Sequence, residues 1–171
     1  MECRSCTLLF LILLSCIYTV KAPTPDLAVI VEVTAKRKTY TDKELYLLAR
    51  LVYAESGGEP YDGKLAVANV VVNRMQHKGY TLKEVIYQKG QFDGIRSKRF
   101  KVVYKGEEIA FQECLKAAET ILEGERVIPY SVQYFHNPVT STDNKWIRHI
   151  ERYKYKKIGR HLFCHNPKEL A

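Results

Sequence analysis

Apolar residues recur between Thr41 and Tyr61 at the three- and four-residue intervals of a helix with one buried face. Leu45, Leu48 and Val52 mark that face, and Glu55 falls in phase with them. Thr41, with Glu44 three residues on, has the form of a capping box, in which each side chain takes a backbone amide that the first turn leaves unpaired. A helix therefore starts at Thr41. The Gly57-Gly58 pair is its stop, expected at positive φ, and with Glu59-Pro60 it opens the backbone beside Glu55 to a ligand. Next comes LAVANVVVNRMQ, apolar nearly all round, which predicts a central buried helix running to about His77. Pro60 suits the first turn of this helix, where its missing amide is not needed. Asn69 and Asn73 share one face of it, so their amides either tie the core together or point into a cleft.

Gly79 ends that helix, and Thr81 with Glu84 repeats the capping-box form ahead of a short helix, LKEVIYQ. A glycine-framed loop, Lys89 to Gly94, follows, and then a basic stretch from Arg96 to Lys105 that reads as irregular and solvated. Glu107 to Gly124 is a further helix, with Ile109, Leu115, Ala118 and Leu122 among its core positions. Ser131 to His136 has the aromatic and β-branched content of a strand, and Asn137-Pro138 makes a turn after it. A polar loop leads to Trp146, and a last strand from Ile158 to Cys164 is placed to pair with the first as an irregular hairpin. Together these elements predict an α+β domain, mainly helical, with a small antiparallel sheet.

The start of the chain has a different pattern. Residues 1–22 carry Arg4 and then an apolar run from Leu8 to Val20, the form of a secretory signal peptide or an N-terminal anchor. The run is short for a membrane span of about 20 residues. Leu13-Leu14-Ser15-Cys16 also has the form of a lipidation site, with Cys16 the acceptor. Residues 23–40 read as a tether with one strand from Ala28 to Thr34. Either processing route puts the domain outside the cytoplasm, as a secreted, wall-associated or membrane-anchored protein. In that compartment Cys114 and Cys164 can form a disulfide or remain two buried thiols.

Charge and candidate chemistry narrow the function. The net charge of +8 is concentrated between Lys145 and Arg160, interleaved with Tyr153 and Tyr155, a pattern that nucleic-acid binders share. The leader argues against nucleic acid, which an exported domain seldom meets. No Cys or His spacing suggests a metal site, and no cofactor is expected. Glu55 is the sharpest candidate. A carboxylate on a buried stripe either finds donors or takes up a proton, and desolvation raises its pKa into the range of a general acid. The competing reading is a solvated residue on a helix end. Gln91 and Phe92 on their loop could hold a sugar through an amide and a ring face, or Phe92 could simply pack inward.

Five stretches, taken in order, resemble the SleB/CwlJ cell wall hydrolases of the spore cortex-lytic type: LLARLVYAESGGEPYDGKLAVANVVVNRM, VIYQKGQF, AAETILEG, YFHNP followed by Trp146, and IGRHLF. The resemblance implies a catalytic domain over residues 41–171 with a lysozyme- or lytic-transglycosylase-like fold. It implies cleavage of peptidoglycan glycan strands with Glu55 as catalytic acid. Its other motif positions fall on Gly90, Gln91 and Phe92, on Tyr134, Phe135, Asn137 and Pro138, and on Ile158, Gly159, His161 and Phe163. Gln91, Phe92, Tyr134, Phe135, Asn137, Trp146 and His161 are the candidate substrate-binding residues. Two departures stand out: Ser56-Gly57 where many members carry Ala-Arg, removing a basic side chain near the acid, and Asp93-Gly94 where a small hydroxyl is more usual. The resemblance favours lytic transglycosylation by one carboxyl. The alternatives are a two-carboxylate hydrolase, with Glu59, Asp62 or Asp93 as the partner, and a non-catalytic wall-binding module. The expected partner is peptidoglycan, bound by a monomer that meets a membrane only through its leader or a lipid on Cys16.

Overall fold

The structure is a computed structural model that describes residues 39–142 and 144–170. The leader and the strand expected at Ala28 to Thr34 lie outside the described residues. Helix α1, Asp42–Ser56, begins at the expected capping box: the Thr41 hydroxyl accepts from the Glu44 amide, and the Glu44 carboxylate accepts from the Thr41 amide at 2.8 Å. Its apolar stripe, Leu45, Leu48 and Val52, is buried, and such side chains contribute about 1.5–3 kcal/mol each on leaving water. Helix α2, Tyr61–Lys78, is buried along most of its length, with Pro60 as its N-cap residue. Gly79 ends it in the left-handed region at φ 64°, with its amide bonded back to Met75 O. Helix α3, Leu82–Tyr87, repeats the capping box through Thr81 and Glu84.

The basic stretch after it is folded, contrary to the sequence reading. A 3₁₀ turn at Gly94–Arg96 leads into a one-turn helix α4, Lys98–Lys101, and buries Phe100. Charge at three of the four positions of α4 hid its single buried aromatic from any pattern. Helix α5, Glu108–Leu122, packs against both α1 and α2. Its core stripe is Cys114, Ala117, Ala118 and Ile121. Ile109, expected in the core, is out of phase with that stripe and 79% exposed.

Strand β1, Val132–His136, is followed by helix α6, Lys145–Ile150, and strands β2, Lys154–Ile158, and β3, His161–His165. The sheet order is β1-β3-β2, antiparallel throughout, with Phe135 opposite Phe163 and an irregularity between Val132 and Tyr134. The strand predicted over Ile158 to Cys164 is in fact divided. Ile158 pairs with His161 across a tight turn, and Gly159 at φ 57° makes that turn possible. Strand β2 escaped the sequence reading because KYKKI is mostly solvated; lysines of this kind keep an open sheet edge from pairing with another chain.

Asn69 and Asn73 take the structural role. Asn69 Oδ1 accepts from the amides of Val127 and Ile128 at 2.8 and 3.2 Å, and its Nδ2 donates to Asn73 Oδ1. Asn73 Nδ2 in turn donates to the carbonyls of Pro129 and Val132, each at 2.9 Å. The next residue, Arg74, donates from Nε to Gln133 O at 2.6 Å. This seam fixes β1 against α2. Cys114 and Cys164 are free buried thiols, pushed up to about 12 and about 11 chiefly by burial, so the thiol alternative holds and not the disulfide. Replacing Asn73 with Ala leaves two carbonyls and the Asn69 amide without partners, and should cost about 2–4 kcal/mol of stability by urea unfolding. A loss below about 1 kcal/mol would mean that the seam does not hold β1 in place.

Candidate active site

Glu55 stands in the last turn of α1, in phase with the buried stripe that leads to it. Its Oε1 accepts from the Gly94 amide at 2.6 Å. That approach requires glycine, because a Cβ at position 94 would lie 2.6 Å from the same oxygen. Burial raises the Glu55 pKa and outweighs the Gly94 hydrogen bond, which lowers it; the Asp93 charge raises it further and Arg74 opposes.

Glu55 opens into a cleft of about 810 Å³ whose far wall comes from β1, the following loop, α6 and β3. Of the candidate substrate-binding residues, Gln91, Tyr134, Phe135, Asn137, Trp146 and His161 line this cleft. Trp146 is half exposed, and its ring meets Tyr134 edge-on with centroids 5.7 Å apart. Asn144 holds it there by accepting from the amides of Trp146 and Ile147 at 2.9 and 3.0 Å. Phe92 does not face the cleft. It is 3% exposed, with its ring near Phe135 and under the Arg74 guanidinium at 4.8 Å, so it supports the wall from behind. An aromatic between glycines has no periodicity to reveal which way it turns.

The structure adds residues that sequence reasoning passed over. Arg74 is buried, lines the cleft, and lies over both Phe92 and Tyr134. Burial lowers its pKa to about 10, so it remains a cation at neutral pH near Glu55. The basic neighbour expected at position 57 is therefore supplied from α2. Gly57 itself is right-handed at φ −55°, not positive as expected; a Cβ there would meet Tyr53 O at 2.6 Å and Arg99 Nη1 at 3.1 Å. Arg99 lies over the Tyr53 ring and pairs with Glu107. His136 also lines the cleft, beside His161. Burial lowers both imidazoles below the usual histidine range, and Glu151 and Glu59 respectively act against it. Both ring nitrogens of His136 and Nδ1 of His161 are buried and have no hydrogen-bond partner among the described residues. Glu151 Oε1 lies 3.3 Å from His136 Nε2 without the alignment of a hydrogen bond. A histidine in a strand and an arginine ending an apolar helix are common structural residues, and no pattern singled them out.

The three carboxylates considered as partners for Glu55 separate cleanly. Glu59 accepts from the Arg160 amide at 2.7 Å and from Arg160 Nε at 2.6 Å. Burial pushes Glu59 up, but these donors and the nearby His161 hold it below the usual carboxylate range. Its place is structural: a Cβ on Gly159 would come within 2.1 Å of Glu59 Oε2, so the glycine turn and the ion pair form one unit. Asp62 is exposed in the first turn of α2 and does not line the cleft. Asp93 does line it.

Residues 58–164 match the cell wall hydrolase family model, a span that begins just past Glu55 and includes most of the cleft. The chain belongs to the cell wall hydrolase family. Relatives include spore cortex-lytic enzymes of Bacillus cereus, 33% identical over 127 residues, and of Oceanobacillus iheyensis, 33% identical over 129 residues. Each alignment covers 73% of this chain but 45% and 42% of the relative, so the chain spans less than half the length of these curated relatives. Among solved structures it is similar to the catalytic domain of the germination-specific lytic transglycosylase SleB from Bacillus anthracis. That likeness has a TM-score of 0.58 at 31% identity and covers 74% of this chain and 97% of the other. The catalytic domain of Bacillus cereus SleB is similar at TM-score 0.57 and 32% identity, covering 73% and 91%. This member of the cell wall hydrolase family thus shares the mainly helical fold with a small sheet that its sequence predicts.

The charges around Glu55 set two titration outcomes. Followed by carbon NMR at the carboxyl, Asp93→Asn should lower the Glu55 pKa and Arg74→Met should raise it; no shift in either variant would show that neither charge reaches the carboxyl. A folded-state pKa above the unfolded one means that stability is full below the unfolded value and is lost as pH rises through the folded value. Glu55→Gln should therefore be at least as stable as the wild type at neutral pH, with the advantage appearing only above the ordinary glutamate pKa. A loss of stability at pH 7 in thermal unfolding would contradict this.

Proposed function

We propose that this chain cleaves the glycan strands of peptidoglycan as a lytic transglycosylase, with Glu55 as the single acid and base. The observation that carries the reading is a carboxyl whose burial favours its protonated form, standing at the wall of an open, polar cleft. The similarity to a catalytic domain described as a lytic transglycosylase supports the same reaction. Glu55 gives its proton to the oxygen that leaves the anomeric carbon as the glycosidic bond breaks. The Gly94 amide and the Arg74 charge then favour the carboxylate that forms. As a base, Glu55 takes the proton of the muramic C6 hydroxyl while that oxygen bonds to the anomeric carbon. The acid is regenerated and the product ends in 1,6-anhydromuramic acid.

The cleft suits such a ligand. Trp146 and Tyr134 present ring faces and edges for the apolar side of a sugar, and Gln91, Asn137 and Asn144 offer amides for its hydroxyls. His136 and His161 also line the cleft, and burial favours the neutral form of both imidazoles. Such a reaction takes place outside the cytoplasm, in agreement with an export leader.

A second reading has one observation in its favour. Asp93 lines the same cleft and its charge acts on Glu55, so it could activate water in a two-carboxylate hydrolysis. The products separate the two. Mass spectrometry of digested peptidoglycan should find 1,6-anhydromuramic ends; reducing ends alone would replace transglycosylation with hydrolysis. Glu55→Gln should lower the rate of glycan cleavage by about 10²–10⁴-fold in a dye-release assay. Cleavage at the wild-type rate would remove Glu55 from the mechanism.

A further inference from the structure

Behind the main cleft is a second, smaller pocket of about 190 Å³, room for about six water molecules. It shares Arg74, Lys78, Gln91 and Tyr134 with the cleft wall and is completed by Gln133, Asn166 and Lys168, with His77 at its edge. Its charge is one-sided: Arg74, Lys78 and Lys168 line it and no Asp or Glu does. Glu169 is taken up by His77 at 2.5 Å, and the Glu55 charge reaches Arg74 from the cleft side. Lys78 donates to the neutral Gln88 Oε1 at 3.0 Å and lies over the Tyr80 ring at 5.7 Å, so among the described residues no carboxylate is paired with it.

Two side chains that line this pocket, Arg74 and Gln133, each carry a buried donor with no hydrogen-bond partner among the described residues. Gln133 is 2% exposed, and its Oε1 accepts from Asn166 Nδ2 at 3.0 Å, while Asn166 Oδ1 accepts from the Lys168 amide. That relay fixes which end of the Gln133 amide is nitrogen, and this Nε2 has no partner. Arg74 is 6% exposed, its Nε is held by Gln133 O, and its Nη1 has no partner. A buried guanidinium or amide donor left without an acceptor costs stability, the charged one more, and Glu55 acts on Arg74 through its charge with no hydrogen bond to Nη1. Such groups are retained where an anion arrives from outside.

We infer that this pocket receives a carboxylate on the peptide stem that branches from the glycan strand, while the strand itself occupies the main cleft. The inference rests on the glycan-cleavage reading for its choice of ligand. Arg74 then joins the two sites: it faces Glu55 on one side and the stem carboxylate on the other, so a stem-bearing sugar is set in register with the acid.

The test is binding to the full chain by isothermal titration, independent of cleavage. The probes are a synthetic stem tripeptide with free carboxylates, the same peptide with its carboxylates amidated, and inorganic phosphate. The free-carboxylate peptide should bind at least about tenfold more tightly than the amidated one. Gln133→Glu, which keeps the oxygen that Asn166 bonds but replaces the donor with a second oxygen, should abolish that difference. Lys168→Glu, on the surface and without risk to the core, should reduce it severalfold. Equal binding of both peptides, or a difference that survives both substitutions, would overturn the inference. Binding of phosphate without the peptide would also overturn it and assign the pocket to phosphate-bearing wall polymers. The glycan-cleavage reading fails separately, on wild-type protein that releases no fragments from peptidoglycan whatever its affinity for the peptides.

Discussion

The contact between Glu55 and the Gly94 amide is the constraint on which the site depends. Withdrawal from water raises the Glu55 pKa, and a single short hydrogen bond from the backbone works against that rise, so neither form of the carboxyl is left without support. That balance is what a group needs if it is to give a proton and take one back in the same turnover. It also dictates sequence at a distance: position 94 has to be glycine, because any side chain there would occupy the space of the carboxyl oxygen.

The cleft has two walls of different origin, and polar groups buried between α2 and β1 hold them at a fixed separation. Asn69 bonds the backbone at Val127 and Ile128, Asn73 bonds it at Pro129 and Val132, and Arg74 bonds the following residue of β1, Gln133. Each of these side chains would destabilise the core if left unpaired, so the strand has little freedom to slide along the helix. Tyr134, Phe135 and His136 reach the cleft because of this seam. Arg74 serves in both places, as part of the seam through Nε and as the charge beside Glu55 through the rest of its guanidinium.

Glu59 illustrates how close a structural carboxylate can stand in sequence to the one proposed as the acid without sharing its surroundings. Four residues beyond Glu55, it is bonded by the backbone and side chain of Arg160 in the turn between β2 and β3. Those donors favour its ionised form, while burial with one backbone donor does the opposite for Glu55. Local sequence makes the two residues neighbours; their partners, far away in the chain, make them different.

The sequence by itself determined what depends on local periodicity. The capping boxes at Thr41 and Thr81, the buried helix around Val70 and the phase that puts Glu55 on a buried face all follow from spacings of three and four residues. Ordered motifs carried the family, and with it the fold class. What only the tertiary structure decided is what depends on residues distant in the chain. The inward turn of Phe92, the arginine that faces Glu55 from α2 and not from position 57, and the division of the last strand at Gly159 belong to this class. So does the pairing that removes Glu59 from the site. A pKa, a ligand pocket and a wall of a cleft are each set by atoms that approach through space, and a linear pattern records only which residues are available to approach.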